Sequence, residues 1–296
     1  MTNSSCPKKI AFIFARIGFS FLLLFSIAEQ AHATDLKLLS WNIFMLPKPI
    51  KNSLQKVRAK VIAQQLSGSD YDLMFFQEAF TDMIRNELVA KLGDEYPYRY
   101  YLKRDGKLKH VFGSGLFIMS RHPFKVLDRV YFKKCGAFDC YAAKGSVLIE
   151  AMLPSGKVVQ FAPTHLQAKE ALGSVRLSQL QQMKTMLLRH ARNGVPQIIM
   201  GDLNIDVVEP EFESGLNIMD MSPTPLVGPI QHTNGRINDC YKSPGKNKEW
   251  IDHFWVSNQT ALTQSEMEVR DFEFPYKGRT CPSSDHHAVE ARISLE

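Results

Sequence analysis

At 296 residues, 45% of them hydrophobic, and with a formal net charge of +6, the chain has enough material for one large α/β domain or two small ones. It carries no internal repeat, low-complexity tract or Pro/Gly/Ser-rich linker, which excludes a repeat array and leaves a single domain. The modest basic excess suits nucleic acid or an anionic membrane face, but a solvated surface explains it more simply, so charge assigns no function.

Lys8 and Lys9 lead into an apolar run from Ile10 to Ala28, and Ala31-His32-Ala33 places small residues where a signal peptidase reads. Arg16 and Gly18 interrupt the run, which favours a cleaved signal over a membrane anchor. Residues 1–33 are therefore expected to be a signal peptide and 34–296 the mature domain of a secreted protein, with a periplasmic destination left open. Cys135, Cys140, Cys240 and Cys281 then remain. An even number in an exported chain, without zinc spacing, favours disulfides. Local bridges Cys135–Cys140 and Cys240–Cys281 are expected, although four cysteines allow three connectivities.

In order, Leu36 to Asn42 alternates as a strand ending on Asn, and a Pro-rich loop follows. Leu54, Val57, Val61, Ile62 and Leu66 recur at helical spacing up to Gly68, and Leu73-Met74-Phe75-Phe76 is a strand ending on Gln77-Glu78. Ser114–Met119, Val126–Phe132 and Gly145–Met152 are strand-like, and Pro154-Ser155-Gly156 turns the last into a partner that delivers Thr164-His165. Val175 to Leu188 has an amphipathic helical period, and Gly194-Val195-Pro196 stops it before Gln197-Ile198-Ile199-Met200, which carries Gly201-Asp202-Leu203-Asn204. Further strands span Trp250–Val256 and Ala288–Leu295.

Asn42, Glu78, His165, Asp202, Asn204, Asp252, Asp285 and His286 all fall at or beside strand ends. Unpartnered carboxylates and imidazoles are costly to bury, so one shared site accounts for them economically. Singly, each has a plainer explanation: Asp202 and Asn204 suit a helix cap or Asx-turn, Asp285 a turn, His165 a hydrogen-bonded surface or core position. Glu, Asp and Asn are hard oxygen ligands suited to Mg²⁺ or Ca²⁺, and two histidines add a base and a donor. Together they suit attack of water on a phosphate ester.

The ordered set Ser40-Trp41-Asn42, Phe76-Gln77-Glu78, Thr164-His165-Leu166, Gly201-Asp202-Leu203-Asn204, Trp250-Ile251-Asp252-His253-Phe254 and Ser284-Asp285-His286 resembles the endonuclease/exonuclease/phosphatase superfamily. Within it, Phe132 to Gly136 with Ala143-Lys144-Gly145, Thr164 to Ala168, and Ser174 to Leu180 are most similar to bacterial neutral sphingomyelinases. The resemblance implies a four-layer α/β/β/α sandwich with two central mixed β-sheets, and a site at one end between them. It implies Glu78, Asn42 and Asp285 as metal ligands for Mg²⁺, with Mn²⁺ or Co²⁺ able to take its place. It implies His286 as general base oriented by Asp252, with Asp202 and Asn204 on the phosphate and water, His165 on the developing charge, and Lys144 on substrate.

The implied activity is hydrolysis of sphingomyelin to ceramide and phosphocholine by a monomer acting at a phospholipid membrane surface, with no obligate protein partner. The alternatives are a phospholipase C for other choline lipids, a DNase-like nuclease using the basic stretch Lys103–His110, and a non-catalytic lipid-binding subunit. Two departures stand out. No cysteine follows the Thr-His-Leu-Gln-Ala element, so Cys140 would take its place. The segment Phe272–Pro282 is short and lacks the long aromatic hairpin that haemolytic members insert into membranes, and the alternation of Phe272, Phe274 and Tyr276 suits the inward face of a strand.

Overall fold

The computed structural model describes residues 1–2, 34–48, 50–235, 240–241 and 248–296. The chain divides into Met1–His32 and a compact unit, Ala33–Glu296, and everything below concerns the second. Of the expected signal segment, residues 3–33 lie outside the described residues.

In chain order the unit opens with β1 (Thr34–Asn42), α1 (Gln55–Leu66), β2 (Leu73–Gln77), α2 (Asp82–Leu92), β3 (Tyr98–Tyr101) and β4 (Phe117–Ser120). A meander follows: β5 (Phe124–Tyr131), β6 (Gly145–Met152) and β7 (Val158–His165), then α3 (Gly173–His190), β8 (Gln197–Asp202), α4 (Pro210–Met219) and β9 (Met221–Pro223). The remainder is strand: β10 (Leu226–Val227), β11 (Asp252–Ser257), β12 (Leu262–Arg270), β13 (Glu273–Tyr276), β14 (Arg279–Pro282) and β15 (Ala288–Leu295).

One sheet has the order β10-β12-β15-β1-β2-β4-β3, the other β5-β6-β7-β8-β11-β9, and β13-β14 is a separate hairpin. Both large sheets are mixed: β1 and β2 run parallel, as do β7 and β8, among antiparallel neighbours. The inner faces meet in a core built by Leu38, Phe75, Val289 and Ile293 from one sheet and Val147, Phe161, Ile198 and Phe254 from the other. The outer face of the first sheet buries Trp41, Met74 and Phe76 against Ile62, Leu66, Ile84 and Leu88 of α1 and α2. The outer face of the second buries Leu148, Ile199 and Trp255 against Leu180, Met183, Leu187 and Phe212 of α3 and α4. Because each central strand is covered on both faces, it reads as a near-continuous apolar run, and the result is the expected α/β/β/α sandwich.

The expected strands and helices through β8 are found with small shifts at their ends. The turn at Gly156 needs its positive φ of 81°. Residue patterning did not reveal α2, α4, β3 or β12. Both local disulfides, Cys135–Cys140 and Cys240–Cys281, are formed. In β13, Phe274 is buried, and just before it Phe272 stacks on Trp41 with ring centroids 5.0 Å apart. These two rings turn into the protein, as their alternation implied, and Tyr276 is half-buried.

Candidate active site

Strand polarity collects the candidate residues at one edge of both sheets. Asn42 pairs with Gln77 across parallel β1 and β2, so Asn42 and Glu78 emerge side by side. His165 pairs with Asp202 across parallel β7 and β8, and Asp252 faces Asp202 across antiparallel β11. β15 runs antiparallel to β1, so Asp285 and His286, just before it, return to the end of β1. The two sheets are joined at this edge by Asn42, whose Nδ2 donates to Glu78 Oε1 at 3.3 Å and to Asp202 Oδ2 at 2.9 Å.

Around Asp202 the geometry is tight. His165 Nε2 lies 3.3 Å and His286 Nε2 3.7 Å from Asp202 Oδ2, while the Asn204 backbone N–H donates to Oδ1 at 3.0 Å. The Asx-turn expected of Asp202 is thus present within the site and not in place of it. His286 Nδ1 lies 2.9 Å from Asp252 Oδ2. The His286 loop is anchored because Trp41 Nε1–H donates to His286 O at 3.1 Å and Ser284 Oγ–H to Asn42 O at 2.7 Å. Glu78 and Asn204 take left-handed backbone, φ 57° and 51°, which non-glycine residues adopt at a cost and which clusters at functional sites.

The electrostatics separate the two histidines. Burial pushes His165 down, and the nearby Lys144 adds to this, leaving it at about 3 and neutral. Burial also opposes charge on His286, but the carboxylates of Asp252 and then Asp202 outweigh it and raise it to about 10. Glu78 is pushed up to about 7, first by burial and then by the charge of Asp285. Its Oε2 is buried and makes no hydrogen bond.

A hard cation fits here. A carboxylate pair with a buried, unpartnered oxygen, beside an amide, is a donor set for Mg²⁺. Asn42 Oδ1 already accepts the Phe44 N–H at 3.1 Å, so it brings only its remaining lone pair. Asp202, Asp252 and His286 also present ligand atoms within 4.8 Å of one another. There, however, the Asp252–His286 and Asn204–Asp202 bonds already occupy part of the donor set.

Lys144 is buried, with Nζ donating to Asp139 Oδ2 at 2.7 Å and Leu166 O at 2.8 Å. It lines a cavity of about 680 Å³ whose wall also includes Glu78, His165, Phe80, Phe112 and Phe138. Several supporting residues gave no usable signal in the sequence. Asp139 ties Lys144 to the Ala168 backbone N–H at 2.8 Å, and Thr233 Oγ1 accepts the Ile251 and Asp252 N–H groups at 3.0 Å. Arg58 is buried beneath the site, with Nε donating to Ser283 O at 3.1 Å and Nη1 to Phe44 O at 3.0 Å. An arginine on an amphipathic helix ordinarily reads as a solvent-facing residue, so only tertiary packing reveals these three.

A two-sheet sandwich with acid, amide and imidazole groups at one edge defines a class, and the comparisons agree. The model of the Endonuclease/Exonuclease/phosphatase family matches residues 39–286, and the chain belongs to that family. Among relatives, it is 26% identical over 288 residues to a Phospholipase C of Staphylococcus aureus, covering 87% of each chain. It is 26% identical over 254 residues to Sphingomyelinase C 2 of Leptospira interrogans, covering 77% of this chain and 40% of that one. A Staphylococcus aureus beta toxin mutant solved with bound magnesium ions superposes with a TM-score of 0.75 at 23% identity, covering 87% of this chain and 99% of that one. That likeness is one of fold.

Proposed function

We propose that this chain is an exported, Mg²⁺-dependent phosphodiesterase that hydrolyses sphingomyelin to ceramide and phosphocholine by attack of activated water. The observation that carries the reading is His286, held at Nδ1 by Asp252, with Nε2 beside Asp202, at the same edge as a carboxylate pair that needs a cation. A lipid substrate is supported by the cavity that opens on Glu78 and His165 with Leu46, Ile50, Phe80 and Phe112 in its wall. The names of the two relatives point the same way.

Glu78 and Asp285, with Asn42, would hold the metal, which when bound supplies charge neutralisation at a phosphoryl oxygen and at the departing alkoxide. His286 takes the proton of water at Nε2. Asp252 keeps the other ring nitrogen protonated and stabilises the imidazolium that forms. His286 reaches its base form once the carboxylate charge around it is neutralised. Asn204 and Asp202 orient the phosphate and water, neutral His165 offers its ring N–H to the developing charge, and Lys144 sets a positive charge on the cavity wall.

Purified residues 34–296 should release phosphocholine from sphingomyelin liposomes and stop with chelator. His286→Ala and Glu78→Ala should each lower kcat by roughly a hundredfold or more. Turnover that survives chelator would remove the metal from the mechanism. A panel adding phosphatidylcholine, lysolipid and plasmid DNA tests the substrate, and preferential nicking of the plasmid would replace the lipid reading with the nuclease one.

A further inference from the structure

Large apolar side chains stand exposed around the mouth of the cavity beside Glu78 and His165. Ile50, Val111, Phe138 and Tyr141 are exposed and line it. Phe138 has a relative exposure of 83%, and Leu108, three residues before Val111, reaches 101%. Single exposed apolar residues are ordinary, but a group of them at one opening marks a contact surface.

These side chains are presented on braced loops. The Cys135–Cys140 bridge closes the turn that carries Phe138. The Phe112 N–H donates to Tyr141 O at 3.0 Å and the Ala143 N–H to Phe112 O at 3.1 Å, tying the two loops together. His110 Nδ1 meets Asp105 Oδ1 at 2.6 Å across the base of the Leu108 turn. Lys103, Arg104, Lys107 and Lys109 are exposed on the same turn. The β13-β14 hairpin, by contrast, packs Phe272 and Phe274 inward.

The geometry points to a bilayer-docking surface formed by the Lys103–Val111 and Gly136–Tyr141 loops, with the cavity mouth facing the membrane. Leu108, Phe138 and their neighbours enter the boundary between headgroups and acyl chains while the lysines and arginine meet lipid phosphates. A phospholipid can then bring its phosphate to Glu78 and His165 without its apolar part crossing water. Duplex DNA would satisfy the cations but bury Leu108 and Phe138 against phosphates, so the occupant that fits both chemistries is a lipid surface. This inference rests on the lipid-hydrolase reading and locates where that enzyme meets its substrate.

The test compares sedimentation with sphingomyelin/phosphatidylcholine vesicles, with and without phosphatidylserine, for the wild-type protein, Leu108→Glu, Phe138→Ser and Tyr276→Ser. Leu108→Glu and Phe138→Ser should each weaken vesicle binding about tenfold, and Tyr276→Ser should leave it unchanged. Leu108→Glu should retain wild-type turnover of a water-soluble aryl phosphocholine ester, which shows that its site is intact. Wild-type hydrolysis of vesicle lipid with undiminished binding by Leu108→Glu and Phe138→Ser overturns the docking surface alone, as does loss of binding confined to Tyr276→Ser. A wild-type protein that neither binds nor hydrolyses lipid, but binds duplex DNA through Lys107 and Lys109, overturns the function as well.

Discussion

At the scale of single residues, the catalytic proposal turns on one hydrogen bond, from His286 Nδ1 to Asp252 Oδ2 at 2.9 Å. That bond fixes the tautomer and aims Nε2 at the reacting centre, and the Asp252 charge is also the largest attraction holding His286 protonated. Asp252→Asn keeps the shape and removes both effects. Its kcat should fall by roughly a hundredfold to ten-thousandfold, as for other orienting carboxylates. The acid limb belonging to His286 in a kcat pH profile should move to lower pH, because less negative charge opposes its deprotonation. A profile that drops without shifting would make Asp252 merely structural. Glu78 illustrates the opposite design, a carboxylate kept reluctant to ionise by burial and by Asp285 until a cation balances it.

At the scale of elements, parallel pairing of β7 with β8 places His165 beside Asp202, and Gly201 makes that pairing close. Its φ of 136° and a hypothetical Cβ only 2.0 Å from Thr164 O leave no room for any side chain. Gly201→Ala should therefore cost about 2 kcal/mol or more, measured by denaturant unfolding, and should reduce turnover by displacing Asp202. Unchanged stability would mean that the strand end yields easily. The same scale explains what sequence patterning did not reveal. Helix α4 is short, and β12 (Leu262–Arg270) is polar along most of its length because much of it is exposed or half-buried. The apolar face of α4 spans only Phe212 to Met219 with Gly215 in its middle, too brief to stand out from a loop, and β12 lacks the apolar run that identified β1 and β2.

At the scale of the whole molecule, folding brings Glu78 and Asp285 together at the cost of like-charge repulsion. Glu78 has its pKa raised from 4.5 to about 7 in the folded chain. The metal-free protein is therefore favoured by Glu78 below about pH 4.5 and loses that contribution as pH rises through about 7. Metal binding needs the carboxylate and so displaces a proton, which makes affinity climb over the same window. Mg²⁺ should raise the unfolding temperature more at pH 8 than at pH 5.5, and Glu78→Gln should flatten that difference. An equal shift at both pH values would mean that Glu78 does not hold the ion.

The sequence by itself determined the strand–helix order through β8 apart from α2 and β3, the strand-end positions of Asn42, Glu78, His165, Asp202 and Asp252, and the ordered motifs that resemble a metal-dependent phosphoesterase. Such features are local: an apolar run ends, and a polar residue stands at its end. Which polar atoms then meet is non-local. Asn42 reaches Asp202 across 160 positions of chain, and His286 reaches Asp252 only because antiparallel β15 and β11 return to the same edge. Arg58, Asp139 and Thr233 entered the site's support for the same reason. So did the exposed rim around Leu108 and Phe138, because exposure belongs to the packed molecule, and a sequence records only that a side chain is apolar.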